Sequence, residues 1–338
     1  MENREGSGRY DHYTIVFGKK ECFFVVQRRE FFYPSADGRT RIHAVCWQGE
    51  GKPRAIVQIS HGICEYVERY APFAEYLAEH GFLVVGNDHL GHGKSFQDPT
   101  RQGLFAEKGG WSLVVRDIEA LRAKTAGEHP GVPYFLLGHS MGSFLARTYL
   151  IRYPGRVDGA LICGTGQQPQ RLLRLGLGVT EALCRVRGPR YRSAAVKQMT
   201  FGSYNRRIQP VRTPDDWVCG DESVIDAYVK DPGCQFLPTV SLYRDMLGGI
   251  QFISQPENLA KMDKTTPVFF FAGAEDPVGD YGEGVTRAYD SFVRAGCTDV
   301  KKTLYPGARH EVLNDRTRDQ VWSDVLSWIG DHLPGAEA

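Results

Sequence analysis

The chain has 338 residues, 42% of them hydrophobic, and a formal net charge of +1 at pH 7. This size and apolar content allow a large buried core, and the near-neutral charge argues against general affinity for nucleic acid. The sequence lacks both the roughly 18 consecutive apolar residues of a membrane-spanning helix and the apolar run of a secretory signal. We therefore expect a cytoplasmic protein without a transmembrane anchor.

The eight cysteines are widely spaced and form no C-x-x-C pair. This spacing predicts neither a disulfide framework nor a zinc site. The sequence contains no G-x-G-x-x-G fingerprint, so nothing supports use of a nicotinamide or flavin. We expect no cofactor and no metal.

The first predicted elements are two strands, over residues 21–33 and 41–47. Both are rich in residues that favour strands, and the turn-forming stretch "PSADGRT" separates them, so we expect an antiparallel hairpin. Residues 1–20 are predicted to be a flexible N-terminal segment.

After the hairpin, short apolar runs alternate with helical patterns. The apolar runs are "AIVQIS" (55–60), "FLVVGND" (82–88), "YFLLGH" (134–139), "GALICG" (159–164) and "PVFFFAG" (267–273). The helical patterns cover residues 71–80, 110–126, 142–152, 283–295 and 318–329. Nearly continuous apolar runs are typical of strands covered on both faces, and this alternation predicts a mostly parallel sheet in an α/β domain.

The alternation stops over residues 165–257, which we interpret as an insertion into one α/β core formed by residues 21–164 and 258–334. Residues 165–212 contain ten basic residues and a single acidic residue, Glu181. Within them, an apolar stripe at helical spacing predicts a basic amphipathic helix. The stripe consists of Leu172, Leu175, Val179, Leu183 and Val186.

The stretch "LLGHSMGSF" contains a G-x-S-x-G motif centred on Ser140. A predicted strand precedes it and a predicted helix follows, which is the context of a nucleophile elbow. The glycines let the serine occupy a tight turn, and the Met141 N–H would face an oxyanion formed at Ser140. The alternative is a serine that only caps the helix.

A serine nucleophile needs a base and an orienting carboxylate, in the chain order Ser, Asp or Glu, His for this architecture. His310 follows the last predicted strand (300–305) and precedes the final helix. Asp276 lies in the loop after the "PVFFFAG" strand, and Glu275 and Asp280 are rival carboxylates in that loop.

The loop after "AIVQIS" reads Ser60-His61-Gly62-Ile63. A second oxyanion donor is expected in this loop, and Gly62 would let the Ile63 N–H approach the site. An ordinary strand-to-helix turn would also explain the glycine.

The stretch "NDHLGHGKS" (87–95) brings Asp88, His89 and His92 close in sequence. A metal cluster is one interpretation. We favour a turn shaped by Gly91 and Gly93, and the spacing of "GHGKS" does not match a phosphate-binding loop.

Three stretches together resemble α/β-hydrolases of the monoacylglycerol lipase and lysophospholipase group, which are often filed with the serine aminopeptidases. They are "HGICEYVERY", "DHLGHGKS" and "GHSMGS", and the resemblance extends over roughly residues 30–332. It implies an α/β-hydrolase fold with an inserted, mainly helical lid at 165–257. It also implies a Ser140, Asp276 and His310 triad with oxyanion donors at Ile63 and Met141. Tyr66 and Ser143 depart from the usual pattern.

The favoured function is hydrolysis of a carboxylic ester through an acyl-enzyme on Ser140. The apolar stripe suits a small-molecule, lipid-like acyl ester such as a monoacylglycerol or lysophospholipid, although packing against the core explains the stripe equally well. The basic lid also suits peripheral contact with an anionic membrane. The alternatives are an aminopeptidase or amidase, using the lid carboxylates Asp215, Asp216, Asp221 and Glu222, and a non-catalytic ligand-binding homologue.

Overall fold

A central sheet of nine strands organises the part of the chain that the computed structural model describes, residues 10–13 and 25–335. The strands are β1 (Tyr10–Tyr13), β2 (Val26–Pro34), β3 (Arg41–Gln48), β4 (Ile56–Ser60), β5 (Leu83–Asn87), β6 (Tyr134–His139), β7 (Gly159–Cys163), β8 (Val268–Gly273) and β9 (Val300–Tyr305). Their order across the sheet is β1-β2-β3-β5-β4-β6-β7-β8-β9.

Ten helices accompany the sheet in these residues. They are α1 (Ala71–Glu79), α2 (Gly110–Glu128), α3 (Met141–Arg152), α4 (Gln170–Arg187), α5 (Ala194–Phe201), α6 (Glu222–Lys230), α7 (Val240–Phe252), α8 (Pro256–Leu259), α9 (Glu283–Arg294) and α10 (Arg318–Asp331). Short 3₁₀ helices lie at Val67–Tyr70, Pro99–Arg101 and Tyr204–Arg207.

Neighbouring strands pair in parallel from β5 through β4, β6, β7 and β8 to β9. On the other side of β5, the pairs β5–β3, β3–β2 and β2–β1 are antiparallel. The predicted α/β fold with an N-terminal hairpin is therefore confirmed. The apolar runs are continuous because both faces of the sheet are buried. In β6, for example, Phe135 and Leu137 pack in the core on one face and Leu136 packs in the core on the other.

The N-terminal edge differs from the prediction. Tyr10–Tyr13, within the segment predicted to be flexible, form β1 and pair with β2, with Tyr10 opposite Arg29. The rest of residues 1–20 lies outside the described residues, as do residues 21–24 of the predicted first strand. The four residues of β1, YDHY, are too few and too polar to show the hydrophobic alternation that predicts a strand.

The segment between β7 and β8 contains α4 to α8 and no strand of the sheet. Helix α4 covers the predicted amphipathic helix and packs along α7. At Gly176 the two helices approach so closely that an added β-carbon would lie 3.0 Å from Leu247 Cδ1. This glycine, which lowers intrinsic helix propensity, lies in the contact between the two helices.

The chain reverses direction across the sheet at β4, since β5 lies on one side of it and β6 on the other. In open α/β sheets, ligands bind beside the carboxyl ends of the strands at such a switch point. The loops after β4 and β6 carry Ile63 and Ser140, so the topology brings these two candidate residues to one place.

Candidate active site

Ser140 lies in a strained turn between β6 and α3. Its φ and ψ are 55° and −122°, and its N–H donates to the Cys163 carbonyl at 3.1 Å. It occupies the N-cap position of α3, but its side chain makes no capping hydrogen bond. A non-glycine residue in this conformation costs free energy and is often found at functional sites.

The two glycines of the motif are sterically required. A β-carbon at Gly142 would lie 1.9 Å from the Ser60 carbonyl oxygen, and one at Gly138 would lie 2.3 Å from the Gly142 carbonyl oxygen. Both distances are far shorter than van der Waals contact. The first turn of α3 therefore packs against the end of β4 only with glycine at 142, and against β6 only with glycine at 138.

Asp276 and His310 form a buried pair after β8 and β9. Asp276 Oδ2 lies 3.0 Å from His310 Nδ1, and Asp276 Oδ1 accepts the Val278 N–H at 2.8 Å. Among the rival carboxylates, Glu275 is exposed, and Asp280 is exposed and pairs with Arg287. Of these three carboxylates, Asp276 is the one that contacts the imidazole of His310.

His310 lies beside the Ser140 turn. A β-carbon added at Gly164, just after β7, would lie 3.2 Å from both His310 Cε1 and His139 Nε2. The structure thus gathers Ser140, Asp276 and His310 at one sheet edge. Within the described residues, no hydrogen bond joins Ser140 Oγ to His310; catalytic hydrogen bonds are often long before substrate binds.

The loop after β4 lies against the serine. A β-carbon at Gly62 would lie 2.9 Å from Ser140 Cβ, and Ile63, Ser140 and Met141 line the same cavity. In the described ranges, neither the Ile63 N–H nor the Met141 N–H donates to another protein group. Both donors are therefore available to a ligand.

Glu65 is a buried carboxylate next to this loop, and no pattern in the sequence indicates its role. It accepts hydrogen bonds from the Gly62 N–H at 2.5 Å and the Tyr70 hydroxyl at 2.8 Å, and it lies 3.0 Å from His139 Nδ1. Glu65 thereby ties the loop to the residue that precedes Ser140. The quoted stretch "HGICEYVERY" contains this glutamate, but a sequence does not show which distant group it binds.

Glu65 and His139 stabilise each other's charged forms. Burial favours a protonated Glu65, but the hydrogen bond and charge of His139, with the charge of Arg69, hold the pKa of Glu65 well below its usual range. Burial disfavours a charged His139, but the hydrogen bond and charge of Glu65 raise the pKa of His139. Both shifts favour a buried ion pair, which lies directly beside Ser140.

A second ion pair joins the 3₁₀ helix after β4 to the loop that carries His310. Arg69 binds the Glu311 carboxylate through both terminal guanidinium nitrogens, Nη1 and Nη2, and Nη2 lies 2.8 Å from Oε2. Its Nη1 also lies 3.3 Å from Glu65 Oε2. Glu311 follows His310 directly. Two elements far apart in sequence are therefore held in one arrangement.

The "NDHLGHGKS" stretch folds as the predicted turn. The Asp88 carboxylate lies 2.8 Å from His43 Nδ1 and accepts the Val67 and Lys94 N–H groups. A β-carbon at Gly93 would lie 2.1 Å from Asp88. Burial lowers the pKa of His92 to about 3 and that of His89 well below its usual value, so both are neutral. The protein's own donors surround the aspartate.

The two departures from the family pattern have local explanations. The Tyr66 hydroxyl donates to Asp231 of the inserted segment at 2.6 Å. The Ser143 hydroxyl donates to the Ser140 carbonyl at 2.6 Å. Neither side chain contacts Asp276 or His310.

A cavity of about 560 Å³ opens above Ser140 and is mostly apolar. Its apolar wall includes Ile63, Met141, Phe144, Leu172, Leu173, Leu175, Val179, Val196, Met199, Phe201, Met246, Leu247, Ile250 and Val278. Its polar side chains are Ser140, Gln168, Thr180, Thr200, Ser203, Tyr204 and Asp280. The size and lining suit a single acyl chain.

The apolar stripe predicted on α4 divides between three environments. Leu172, Leu175 and Val179 line the cavity, Leu183 packs against the core, and Val186 is exposed. Both interpretations of the stripe therefore apply, each to different residues. No helix in the described ranges is long and apolar enough to cross a bilayer.

The chain is similar in sequence to a known protein family and to named relatives. The family model described as serine aminopeptidase, S33, matches residues 51–317. The monoacylglycerol lipase of Mycolicibacterium smegmatis is 31% identical, over 88% of this chain and 95% of that protein. Human monoglyceride lipase is 34% identical, over 86% of this chain and 87% of that protein.

A solved structure is also similar, that of a thermostable carboxyl esterase from Bacillus coagulans in complex with glycerol. Its TM-score is 0.85 at 31% sequence identity, and the alignment covers 90% of this chain and 99% of the esterase chain.

Proposed function

Since this chain belongs to the serine aminopeptidase, S33, family of hydrolases, we propose that it hydrolyses single-chain acyl esters and that monoacylglycerols are its preferred substrates. The chain is an α/β-hydrolase and a serine ester hydrolase, as its lipase and esterase relatives indicate. The observation that carries the finer proposal is the apolar cavity that opens on Ser140.

In this proposal Ser140 attacks the ester carbonyl. His310 takes the serine proton and then gives it to the leaving alcohol, and Asp276 holds the imidazole in the required orientation. A water activated by His310 then releases the acyl group. The strained turn at Ser140 and the 3.0 Å contact between Asp276 and His310 support these roles.

The Ile63 and Met141 N–H groups are the proposed oxyanion donors. They line the cavity on either side of Ser140 and have no other acceptor in the described chain. Met141 also begins α3, whose N-terminus favours negative charge. Each donor of this kind contributes about 10²- to 10³-fold to kcat.

The lining of the cavity favours an uncharged head group. Each methylene of an acyl chain buried against its apolar wall contributes about 0.8 kcal/mol. Among the described residues, no lysine or arginine lines the cavity, and the one charged side chain in its lining is the acidic Asp280. The lining therefore suits a glycerol ester better than a phosphate-bearing lysophospholipid.

The aminopeptidase alternative requires an acidic pocket for a substrate amine, and no observation favours it. Asp216 accepts N–H groups of Arg212 and Thr213, Asp221 caps α6, and Glu222 pairs with Arg212. Neither these three carboxylates nor the fourth candidate, Asp215, lines the cavity.

Initial rates with matched substrates test the proposed function. We expect kcat/KM for a monoacylglycerol to exceed that for the lysophosphatidic acid of the same chain by about tenfold, which corresponds to roughly 1.4 kcal/mol. In the matched variant Asp280→Asn the cavity loses its negative charge, so the two kcat/KM values should lie closer together. Faster cleavage of the lysophospholipid would overturn the head-group proposal, and faster cleavage of an aminoacyl anilide would overturn the ester preference.

Residues 165–257 are the proposed lid, and their outer face is proposed to contact anionic membrane. Leu172, Leu175 and Met199 are 57%, 66% and 66% exposed, and Arg171 and Arg174 are exposed beside them on α4. Each cation near an anionic surface contributes about 1 kcal/mol. Cytoplasmic location stays a prediction, which cell fractionation would test.

Co-sedimentation with vesicles tests the membrane contact. We expect binding to phosphatidylserine-containing vesicles that weakens with salt and in an Arg171→Gln, Arg174→Gln double variant. Equal binding to pure phosphatidylcholine vesicles, or no binding to either, would contradict it.

A further inference from the structure

One short stretch of the inserted segment, residues 216–220, lies along the loop that carries His310. The His310 N–H donates to the Trp217 carbonyl at 3.5 Å, and the Glu311 N–H donates to the Val218 carbonyl at 2.7 Å. Two successive backbone contacts fix the register between these stretches. We call residues 216–220 the clamp segment.

The side chain of Arg309 strengthens this contact. Its Nη1 donates to the Asp216 carbonyl at 2.7 Å and to the Cys219 carbonyl at 3.1 Å. A guanidinium can hold two acceptors in a fixed geometry, whereas a lysine ammonium is a flexible point charge. Arg309 therefore holds both ends of the clamp segment from the position next to His310.

A buried carboxylate completes the contact. Asp315 is fully buried, and its Oδ2 accepts the Gly220 N–H at 2.9 Å and the Arg309 N–H at 2.8 Å. Its Oδ1 accepts the Arg316 N–H at 2.7 Å. One carboxylate thus binds the clamp segment and the histidine loop together.

The clamp segment also covers one face of the imidazole. The Trp217 ring centre lies 5.2 Å from that of His310, and Phe201 stacks on Trp217 with ring centres 5.9 Å apart. The His139 ring centre lies 4.8 Å from His310. The imidazole is enclosed by a ring from the core and a ring from the inserted segment.

We propose that the clamp segment, held by Arg309 and Asp315, positions His310 for proton transfer from Ser140. This inference rests on the proposed function. Part of the inserted segment then supports the catalytic base, while α4 and α5 form the outer wall of the cavity. Arg309, Asp315 and Trp217 are positioning residues, because they act through His310.

The test is the reaction of Ser140 with a fluorophosphonate, followed in time and to completion. In Arg309→Met we expect the second-order rate to fall about 10- to 100-fold, since a displaced general base costs that much. The labelled fraction at completion should equal that of the wild type. With a water-soluble ester, kcat should fall and KM should stay within about twofold, because the acyl cavity is unaltered.

Two further variants separate positioning from folding. Arg309→Lys should recover part of the lost rate, because an ammonium also has N–H donors for the carbonyls but lies on a more flexible side chain and holds them less rigidly. Arg206→Met makes the same change at an exposed arginine of the inserted segment and should react like the wild type. If Arg309→Met does not fold, Arg309→Lys is used to test the positioning role. Its second-order rate with the fluorophosphonate is expected to be about 3- to 10-fold below that of the wild type.

Wild-type rates in Arg309→Met, or in Arg309→Lys if that variant is used instead, would overturn the positioning role. A lower labelled fraction with an unchanged rate would do the same, because that result reports only a loss of folded protein. If the folded wild type itself does not react at Ser140, the proposed function fails, and this outcome is distinct from failure of the clamp.

Discussion

The carboxyl edge of the sheet and the outer wall of the cavity are built in opposite ways. At the sheet edge, Ser140, Asp276 and His310 are buried, and a hydrogen-bonded ion pair, Glu65 with His139, supports the turn. At the outer wall, Leu172 and Leu175 are largely exposed and are held mainly by the contact of α4 with α7.

From this contrast we expect the sheet edge to determine the rate of the chemical steps and the outer wall to determine which substrates are preferred. Groups that transfer protons must keep their positions to within fractions of an ångström, whereas an apolar wall needs only enough area to bury an acyl chain. Substitutions at the sheet edge should therefore change kcat by orders of magnitude. Substitutions in the outer wall should change the preference for chain length.

The largest effect is expected from Asp276→Asn. The amide keeps the shape but no longer fixes the imidazole tautomer, and kcat should fall by about 10⁴-fold. Glu275→Gln is the matched control, since this neighbouring carboxylate is exposed, and it should retain wild-type kcat. Steady-state rates with a p-nitrophenyl ester measure both, and equal losses in the two variants would show that Asp276 has no special role.

Glu65→Gln should have the next largest effect. The substitution weakens the anchor of the Gly62 loop and removes the ion pair with His139. We expect kcat to fall by about 10²-fold, as when one oxyanion donor is lost. An unchanged kcat in a folded variant would show that the loop keeps its geometry without the carboxylate.

The same variant has a defined pH dependence of stability. Because the pKa of Glu65 is lowered on folding, its contribution to folding stability is present above about pH 4.5. This contribution is lost as the pH falls towards the pKa of the folded state. Because the pKa of His139 is raised on folding, its contribution to folding stability is present below about pH 6.5. This contribution is lost as the pH rises through the pKa of the folded state. The Tm difference between wild type and Glu65→Gln should therefore be largest between these limits. A Tm difference that stays constant from well below pH 4.5 to well above pH 6.5 would argue against a charged pair.

The smallest effect is expected from Leu175→Ser in the outer wall. Leu175 is already largely exposed, so Tm should change little. KM for a long-chain ester should rise a few-fold, which corresponds to roughly 1 kcal/mol of lost apolar contact. A short-chain ester should be unaffected and serves as the control. A loss of kcat with the short ester would break the division between the two regions.

The sequence predicts the sheet edge well because each element there has a local signal. The strand before Ser140, the helix after it and the two glycines lie within a few residues of one another, and the predicted strand 134–139 coincides with β6. His310 and Asp276 could be found from their positions after predicted strands.

Other features depend on pairs of residues far apart in sequence. Glu65 with His139, and Asp315 with Gly220, meet only in the folded chain. The stripe on α4 has a clear period, but the period does not say which leucines face the cavity, the core or solvent. Strand β1 has only four residues, YDHY, and they show no alternation of apolar and polar side chains.

Covalent labelling of Ser140 tests the central claim most directly. The folded wild type is incubated with a fluorophosphonate, and the modified residue is identified by mass spectrometry of its peptides. We expect one adduct per chain, on Ser140, and none on Ser140→Ala. A folded wild-type protein without an adduct, or an adduct that persists in Ser140→Ala, would contradict the role of Ser140 as the nucleophile.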